Sequence, residues 1–253
     1  MERVFITGAS SGIGAALALS FARRGAQLGL VGRRREALEA LVQTLPGTSH
    51  SVYVLDVRKR QDLHAAAADF LSQGPVDVVI ASAGISVGTL TEELEDFEVF
   101  QAVHETNVLA TVATFEPFLA AMKARRSGIL VGIASVAGVR GLPGAGAYSS
   151  SKAAVRAYCE SLRVELHGSG VRVVTISPGF IRTPMTAKNP YKMPFLMPVE
   201  AFAKQALRHI DKASASVVIP WQMGVVAALL RVVPPFLYDR FAARRKRKPR
   251  QGQ

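Results

Sequence analysis

The feature that most constrains the fold is an alternation of short apolar runs with longer helical stretches. Six runs are apolar almost throughout and have the length of buried strands: residues 3–8, 26–32, 50–57, 76–84, 127–135 and 171–179. The helical stretches between and after them cover residues 12–25, 34–45, 60–72, 97–125 and 148–168. Continuously apolar strands are typical of a parallel sheet covered on both faces. The pattern predicts a doubly wound α/β domain with three α/β/α layers.

No linker or internal repeat divides this alternation, so we expect a single α/β domain over residues 1–220. Within it, residues 184–213 combine a loop rich in proline and methionine with a helix over 199–210, and we expect them to bind substrate. A last edge strand is expected at "SVVIP". Residues 221–243 are a hydrophobic C-terminal extension, and residues 244–253 are a basic tail expected to be disordered.

The extension is a poor candidate for a transmembrane span, because Pro220, Pro234 and Pro235 interrupt the greasy stretch and Arg231 lies within it. A segment buried in a dimer or lying at an interface is the preferred interpretation. The single cysteine, Cys159, excludes an internal disulfide and a cysteine-built zinc site. We expect no metal, and cysteine usage favours a cytoplasmic location.

The chain carries a net charge of +12, and the tail "RRKRKPR" supplies six of those charges. A solvated tail is one interpretation. The other is peripheral contact with an anionic membrane, at about 1 kcal/mol per basic residue near the surface. Nucleic-acid binding is not expected, because the tail lacks interleaved aromatic residues and no recognition motif accompanies it.

The segment "TGASSGIG", residues 7–14, joins the first predicted strand to the first predicted helix. Glycine loses the most backbone entropy on ordering, so three glycines in so short a segment need a reason. A helix N-terminus presents free N–H groups and a positive dipole to an anion. The position of the segment predicts a turn that binds the pyrophosphate of a dinucleotide, with a plain turn as the alternative.

The second predicted strand ends in Val31-Gly32-Arg33-Arg34-Arg35, with no acid before Glu36. NAD enzymes of this fold commonly place an acid here to bind the ribose 2′-hydroxyl. An arginine fork instead suits a 2′-phosphate. NADP(H) is therefore preferred over NAD(H), although the three arginines could also simply open an exposed helix.

Tyr148 and Lys152 in "YSSSK" are four residues apart, and so lie on one face of a predicted helix. A neighbouring ammonium favours the phenolate and would lower the phenol's pKa toward the working range. Ser135 ends a predicted parallel strand, where such sheets bind their ligands, and its hydroxyl suits a substrate carbonyl.

With these motifs in order over about residues 3–220, the chain resembles the short-chain dehydrogenase/reductase superfamily in its single-domain Rossmann-fold form. The other matching segments are Asp56-Val57, "HETNVLA", "GIASVAG" and "SPGFIRTPM". The resemblance implies that Tyr148 is the general acid/base, that Lys152 lowers its pKa and holds the nicotinamide ribose, that Ser135 orients the substrate carbonyl, and that Asn107 positions a water. It also implies cofactor contacts from Gly8, Ser10, Ser11, Gly12, Ile13, Gly14, Arg33, Arg34, Asp56, Val57, Ser82, Ala83, Gly84, Tyr148, Lys152, Pro178, Gly179, Ile181 and Thr183.

Two departures from the family pattern are visible. Ser82-Ala83-Gly84 replaces the usual Asn-Ala-Gly, which predicts a slightly altered cofactor shelf. The C-terminus lacks the Gly-rich ending of many acyl-carrier-protein reductases and looks more like members that act on hydrophobic substrates near membranes.

The expected function is therefore NADP(H)-dependent interconversion of a hydrophobic ketone and a secondary alcohol. A homodimer through the helices over 97–125 and 148–168 is the family expectation. Two alternatives stay open: a cofactor-binding sensor or scaffold without turnover, and a peripheral membrane protein held by the C-terminal extension and tail.

Overall fold

The computed structural model describes residues 1–47, 49–187, 189–244 and 247–250. Its centre is a seven-stranded, fully parallel sheet in the order β3-β2-β1-β4-β5-β6-β9. The strand order reverses between β1 and β4, and in doubly wound sheets ligands bind at such a switch point.

The strands are β1 Arg3–Thr7, β2 Gln27–Gly32, β3 Ser51–Val54, β4 Val78–Ala81, β5 Gly128–Ile133, β6 Val171–Pro178, β7 Ile181–Arg182, β8 Met197–Pro198 and β9 Ser216–Ile219. The helices are α1 Gly12–Ala22, α2 Arg35–Thr44, α3 Arg60–Ser72, α4 Asp96–His104, α5 Ala110–Ala124, α6 Gly146–Glu165, α7 Pro184–Ala187, α8 Val199–Asp211, α9 Trp221–Val232 and α10 Pro235–Ala242. The six predicted strands and the predicted edge strand are confirmed, as is the doubly wound architecture.

Each face of the sheet has its own hydrophobic core. Val4 and Ile6 of β1 point to a core built with α1, α2 and α8. Phe5, between them, points to the opposite core, built with α3, α5 and α6. Because successive side chains of a strand alternate between faces, strands buried on both sides have to be apolar throughout. This explains the unbroken apolar runs in the sequence.

The predicted helix over 97–125 is interrupted. A π-helical turn, Glu105–Leu109, separates α4 from α5 and carries Asn107. Single π-helical turns within helices are frequent at functional sites. In the described part of the segment predicted to be irregular, 184–198, the regular elements are the short α7 and, at its end, β8, which pairs in parallel with β7. Lys188 within this segment lies outside the described residues.

The C-terminal extension forms α9 and α10, and none of the helices described is both long enough and apolar enough to cross a bilayer. The sequence predicts a disordered tail, whereas the last described part of the tail packs against the domain. Residues 247–250 pack against the loop that follows β4, because Arg250 pairs with the acidic residues there. Residues 245, 246 and 251–253 of the predicted tail lie outside the described residues.

Candidate active site

A cleft of about 300 Å³ opens at the switch point, along the carboxyl ends of the strands. Every residue predicted from the sequence to contact a cofactor lines this cleft, from the glycine turn to Thr183, and so does Ser135. The fold thus brings together segments from nearly the whole length of the sheet. Asn107 does not line the cleft and lies behind it.

The glycine turn at one end of the cleft is packed too tightly for side chains. Gly8 has a positive φ of +70°, and a Cβ there would lie 2.7 Å from the backbone of Ala83. A Cβ on Gly14 would overlap the carbonyl oxygen of Gly8. Helix α1 begins at Gly12, and the preceding Ser11 makes no side-chain capping bond. The N–H groups of its first turn therefore remain available, and this cradle fits a pyrophosphate.

The end of the cleft beside β2 is basic. Arg33 and Arg34 follow β2 directly and are exposed at the rim, where the Arg34 guanidinium donates a hydrogen bond of 3.1 Å to the carbonyl oxygen of Ser10. The acid lining this cleft, Asp56, is paired with Arg58 at 2.6 Å. Hydrogen bonding from Arg58 holds the pKa of Asp56 below its usual value. Asp56 is thus already neutralised where a phosphate would approach.

Ser135 follows the end of β5, and its side chain is buried. Its hydroxyl oxygen accepts a hydrogen bond of 3.1 Å from the N–H of Ala137, which caps a short turn and fixes the serine rotamer. Tyr148 lies in the first turn of α6 and lines the same cleft as Ser135. The two side chains are close enough for Ser135 to lower the pKa of the phenol.

Lys152 follows one turn after Tyr148 and is buried. Its Nζ donates a hydrogen bond of 2.8 Å to the carbonyl oxygen of Ile133 and lies 5.9 Å from the centroid of the Tyr148 ring. Burial lowers the pKa of Lys152 to about 8. The ammonium group is thus fixed to the sheet and faces the cleft floor.

The expectation that Lys152 lowers the pKa of Tyr148 is not met here. Burial raises the pKa of the phenol, and hydrogen bonding with Ser135 opposes this increase. The physical reason is that the lysine bonds to Ile133, not to the phenol oxygen. In this structure Ser135 is the group that favours the phenolate.

Asn107 is completely buried, and its amide holds the loop after β4. Its Oδ1 accepts a hydrogen bond from the N–H of Ile85 at 2.8 Å, and its Nδ2 donates to the Ile85 carbonyl at 3.0 Å and to Ser151 Oγ at 2.9 Å. Both amide N–H groups are therefore occupied by protein. The predicted role in positioning a water stays a prediction, and the observed role is to join the loop to α6.

Pro184, Met185 and Thr186 line the cleft and belong to the segment 184–213 that the sequence predicts to bind substrate. Six further lining residues were not anticipated from the sequence: Gly32, Leu55, Ile85, Thr106, Ile133 and Ala134. Most of them are direct neighbours of predicted residues, so proximity in the sequence is the only signal that could have found them. The tail residues beside Tyr148 were missed altogether, because a basic tail has the composition of a solvated segment.

A dinucleotide cradle and a Ser-Tyr-Lys set at one sheet edge define a nucleotide-dependent oxidoreductase. The family model for the short chain dehydrogenases matches residues 2–193. An uncharacterized oxidoreductase of Myxococcus xanthus (strain DK1622) is 41% identical over 245 residues, which are 96% of this chain and 96% of that protein. The chain belongs to the short-chain dehydrogenase/reductase family and is an NAD(P)-dependent oxidoreductase. Members of this family act on small carbonyl and alcohol compounds.

Solved structures of oxidoreductases resemble this fold over most of its length. The crystal structure of levodione reductase has a TM-score of 0.79 and 27% identity, covering 88% of this chain and 98% of that one. An alcohol dehydrogenase from the archaeon Thermococcus sibiricus, complexed with 5-hydroxy-NADP, has a TM-score of 0.76 and 30% identity. The match covers 87% of this chain and 96% of the alcohol dehydrogenase chain.

Proposed function

We propose that the protein is an NADP(H)-dependent reductase that converts a hydrophobic ketone to a secondary alcohol, with Tyr148 as the general acid. The single observation that carries this proposal is that Tyr148, Ser135 and Lys152 line the same cleft as the glycine cradle. The set of four residues predicted to be catalytic is intact, which disfavours a sensor or scaffold without turnover.

The residues of the cleft fit a nicotinamide dinucleotide. The uncapped first turn of α1 would hold the pyrophosphate, and Lys152, on the cleft floor, would hold the nicotinamide ribose. Ile181 and Thr183 would contact the carboxamide end. When bound, the cofactor supplies the hydride, and the protein supplies binding, orientation and the proton.

The protein's own part of the reaction is performed by two hydroxyl groups. The Ser135 hydroxyl donates a hydrogen bond to the substrate's carbonyl oxygen and stabilises the negative charge that develops there. The Tyr148 phenol then gives its proton to that oxygen. A pKa raised by burial keeps the phenol protonated at neutral pH, which suits the reductive direction.

The preference for NADP(H) over NAD(H) is supported by charge. Arg33 and Arg34 stand where an NAD enzyme commonly has an acid, and the nearby Asp56 is already paired with Arg58. The Thermococcus sibiricus relative was crystallised with an NADP derivative. A 2′-phosphate would therefore meet two cations and no free carboxylate.

A hydrophobic substrate is supported by the loop that covers the cleft. Met185 lines the cleft and remains 41% exposed, and Phe195 in the same loop is 51% exposed. Methionine adapts to varied apolar shapes. In steady-state assays with NADPH and NADH on methyl ketones of rising chain length, we expect kcat/KM to increase with length and to be higher with NADPH. A preference for short, polar ketones would contradict this substrate class.

A homodimer through the two long helical segments is proposed from exposed apolar side chains on them. Phe97 and Leu109 are 70% and 62% exposed, and Val164 on α6 is 62% exposed. Burial in a subunit contact would remove these groups from water. Analytical sedimentation of the wild-type protein and of the Leu109→Arg variant tests this. We expect the wild type to sediment as a dimer and the variant as a monomer, because the substitution places a charge in the apolar contact.

Peripheral contact with an anionic membrane is supported by a second apolar stripe, formed by Trp221, Val225, Leu229, Val232 and Phe236, each more than half exposed. They recur on one face of α9 and continue onto α10, with the exposed cations Arg240 and Arg244 beyond them. A basic helix with such a face binds at the interface of anionic lipids.

Co-sedimentation with anionic vesicles tests the membrane contact, with neutral vesicles for comparison. Leu229→Ser is expected to reduce binding, whereas Leu94→Ser, which changes an exposed leucine outside the stripe, is the matched control. Equal binding by both variants and the wild type would contradict the contact. The cytoplasmic location stays a prediction.

A further inference from the structure

The last described residues of the chain, 247–250, lie in a slot beside the catalytic tyrosine. One wall of the slot is the loop after β4, and the other is the loop before α6. The two loops are joined by a hydrogen bond of 3.1 Å from the N–H of Thr89 to the carbonyl oxygen of Gly144. The tail pairs with the same loop, since the N–H of Gly88 donates to the Pro249 carbonyl at 2.8 Å. The tail therefore extends a small backbone network at the substrate side of Tyr148.

Glycines on both walls make room for the tail. A Cβ on Gly88 would overlap the carbonyl oxygen of Lys248, and a Cβ on Gly144 would lie 2.9 Å from the Cβ of Arg247. Gly144 also has a positive φ of +69°. Any larger residue at either position would push the tail out of the slot.

Arg250 anchors the tail electrostatically. Its guanidinium contacts Asp96 and Glu95 at 2.9 Å each and Glu93 at 3.3 Å. Asp96 is buried and also accepts a hydrogen bond of 2.7 Å from the N–H of Leu90, which fixes its position. The anchor is thus a charge-assisted network around a largely buried guanidinium, which holds a charge more firmly than an isolated surface pair.

Lys248 is held between these contacts, and its ammonium points to the active site. Its Nζ donates a hydrogen bond to Ser86 Oγ and lies 5.3 Å from the centroid of the Tyr148 ring. Arg247 and Arg250 on either side pair with carboxylates, whereas no carboxylate in the described ranges lies within 4.0 Å of Lys248. An ammonium has three N–H donors, so a partly buried one with a single hydroxyl acceptor still needs an acceptor, best an anion.

We propose that Lys248 determines substrate specificity by binding an anionic group, a carboxylate or a phosphate, of the ketone that Tyr148 reduces. Because the ammonium lies 5.3 Å from the centroid of the Tyr148 ring, it is placed to meet an anionic group elsewhere on a ketone held at the Tyr148 hydroxyl. The proposal rests on the proposed function and narrows it: the substrate is an apolar ketone that ends in an anion. Burial lowers the pKa of Lys248 to about 8, which still leaves the side chain mostly protonated at neutral pH.

Binding to the full-length protein loaded with NADP⁺ tests the proposal, because two oxidised partners cannot react. The probes are para-acetylbenzoate, its uncharged methyl ester and para-acetylphenyl phosphate, measured by calorimetry. Lys248→Gln is expected to raise the Kd of the better-bound anion about 10-fold or more, because it removes a hydrogen bond to a charged group. The Kd of the ester should not change. Arg247→Gln, which removes the same charge from the neighbouring residue, is the matched control and should change neither.

A second variant tests the role of the anchor. Arg250→Gln removes the side chain that seats the tail and should weaken anion binding in the same direction as Lys248→Gln. Equal affinities for acid, phosphate and ester, or equal losses for all three in Lys248→Gln, would overturn the proposal. Turnover of neutral ketones without any anion preference would overturn it and leave the reductase function intact. Lys248-dependent anion binding without turnover of any ketone would contradict the reductase function, and Lys248 would then be an anion-binding residue but not a determinant of ketone specificity.

Discussion

The ammonium group of Lys152 donates a hydrogen bond of 2.8 Å to the carbonyl oxygen of Ile133, the last residue of β5. This bond fixes the lysine to the sheet and leaves Ser135 as the neighbour that lowers the pKa of Tyr148. The two residues of the "YSSSK" motif are thus divided between two tasks. Lys152 is part of the floor of the cleft, and the ring of Tyr148, in the same cleft, lies 5.3 Å from Nζ of Lys248 in the tail.

The pH dependence of turnover follows from this arrangement. The pKa of Lys152 is lowered to about 8, whereas that of Tyr148 is raised, so the lysine loses its proton first as pH rises. We expect kcat/KM for a neutral ketone to be level below this pH and to fall above about pH 8, because the ammonium form binds the cofactor. The lowered pKa of Lys248 is excluded as the cause if the fall persists in Lys248→Gln. A profile that stays level to high pH would contradict the assignment.

The glycine cradle predicts a difference between two substitutions with the same backbone strain. Gly8 and Gly25 both have positive φ, +70° and +81°, but a methyl group on Gly25 would meet nothing within 4 Å, whereas one on Gly8 would lie 2.7 Å from the backbone of Ala83. Gly25→Ala is expected to cost about 1–2 kcal/mol for the left-handed conformation alone. Gly8→Ala adds the clash, so it should be less stable in urea unfolding and should lose NADPH affinity. Equal effects of the two changes would refute this explanation.

Cofactor selection is predicted to depend on Arg33. Arg33→Ala should raise KM for NADPH about 10–100-fold, since a hydrogen bond to a charged group is worth about 1.5–3 kcal/mol, and should leave KM for NADH unchanged. Arg35→Ala is the matched control, because Arg35 pairs with Glu39 and does not line the cleft. If Arg33→Ala raised KM for NADPH and KM for NADH by the same factor, recognition of a 2′-phosphate by Arg33 would be excluded.

Asn107 is predicted to act on stability as well as on activity. Asn107→Ala removes the partner of the partly buried Ile85 N–H and carbonyl and a buried hydrogen bond to Ser151 Oγ, and each such bond contributes about 0.5–1.5 kcal/mol. We expect a clear decrease in the free energy of unfolding. Gln101→Ala on α4 removes only an exposed bond to Glu105 and should be nearly neutral. Equal stabilities of the two variants would show that the Asn107 network contributes little.

The fold was predictable because the pattern of apolar residues that specifies it lies within single strands and helices. Each strand that is buried on both faces has to be apolar throughout, as Val4, Phe5 and Ile6 show, and this pattern is visible without any tertiary contact. The cleft was predictable for a related reason, since most of its residues occur in short segments directly after strands, and Tyr148 and Lys152 share one short motif. The order of those segments along the chain indicates which strand ends lie near one another at the edge of the sheet.

The π-helical turn and the seated tail were not predictable, because distant residues determine them. Asn107 bonds to Ile85 and Ser151, which are 22 and 44 residues away. The basic tail has the composition of a solvated segment. Its position depends on acids such as Glu95, which lies 155 residues before Arg250.

The central claim is that the Tyr148 phenol gives the proton to the substrate oxygen, and Tyr148→Phe tests it most directly. Tyr158→Phe is the matched control, since this second tyrosine of α6 stacks on Phe115 away from the cleft. We expect Tyr148→Phe to lower kcat at least about 100-fold, as loss of a general acid does, while the Kd for NADPH stays unchanged. Turnover by Tyr148→Phe near the wild-type rate, with cofactor still bound, would contradict the account.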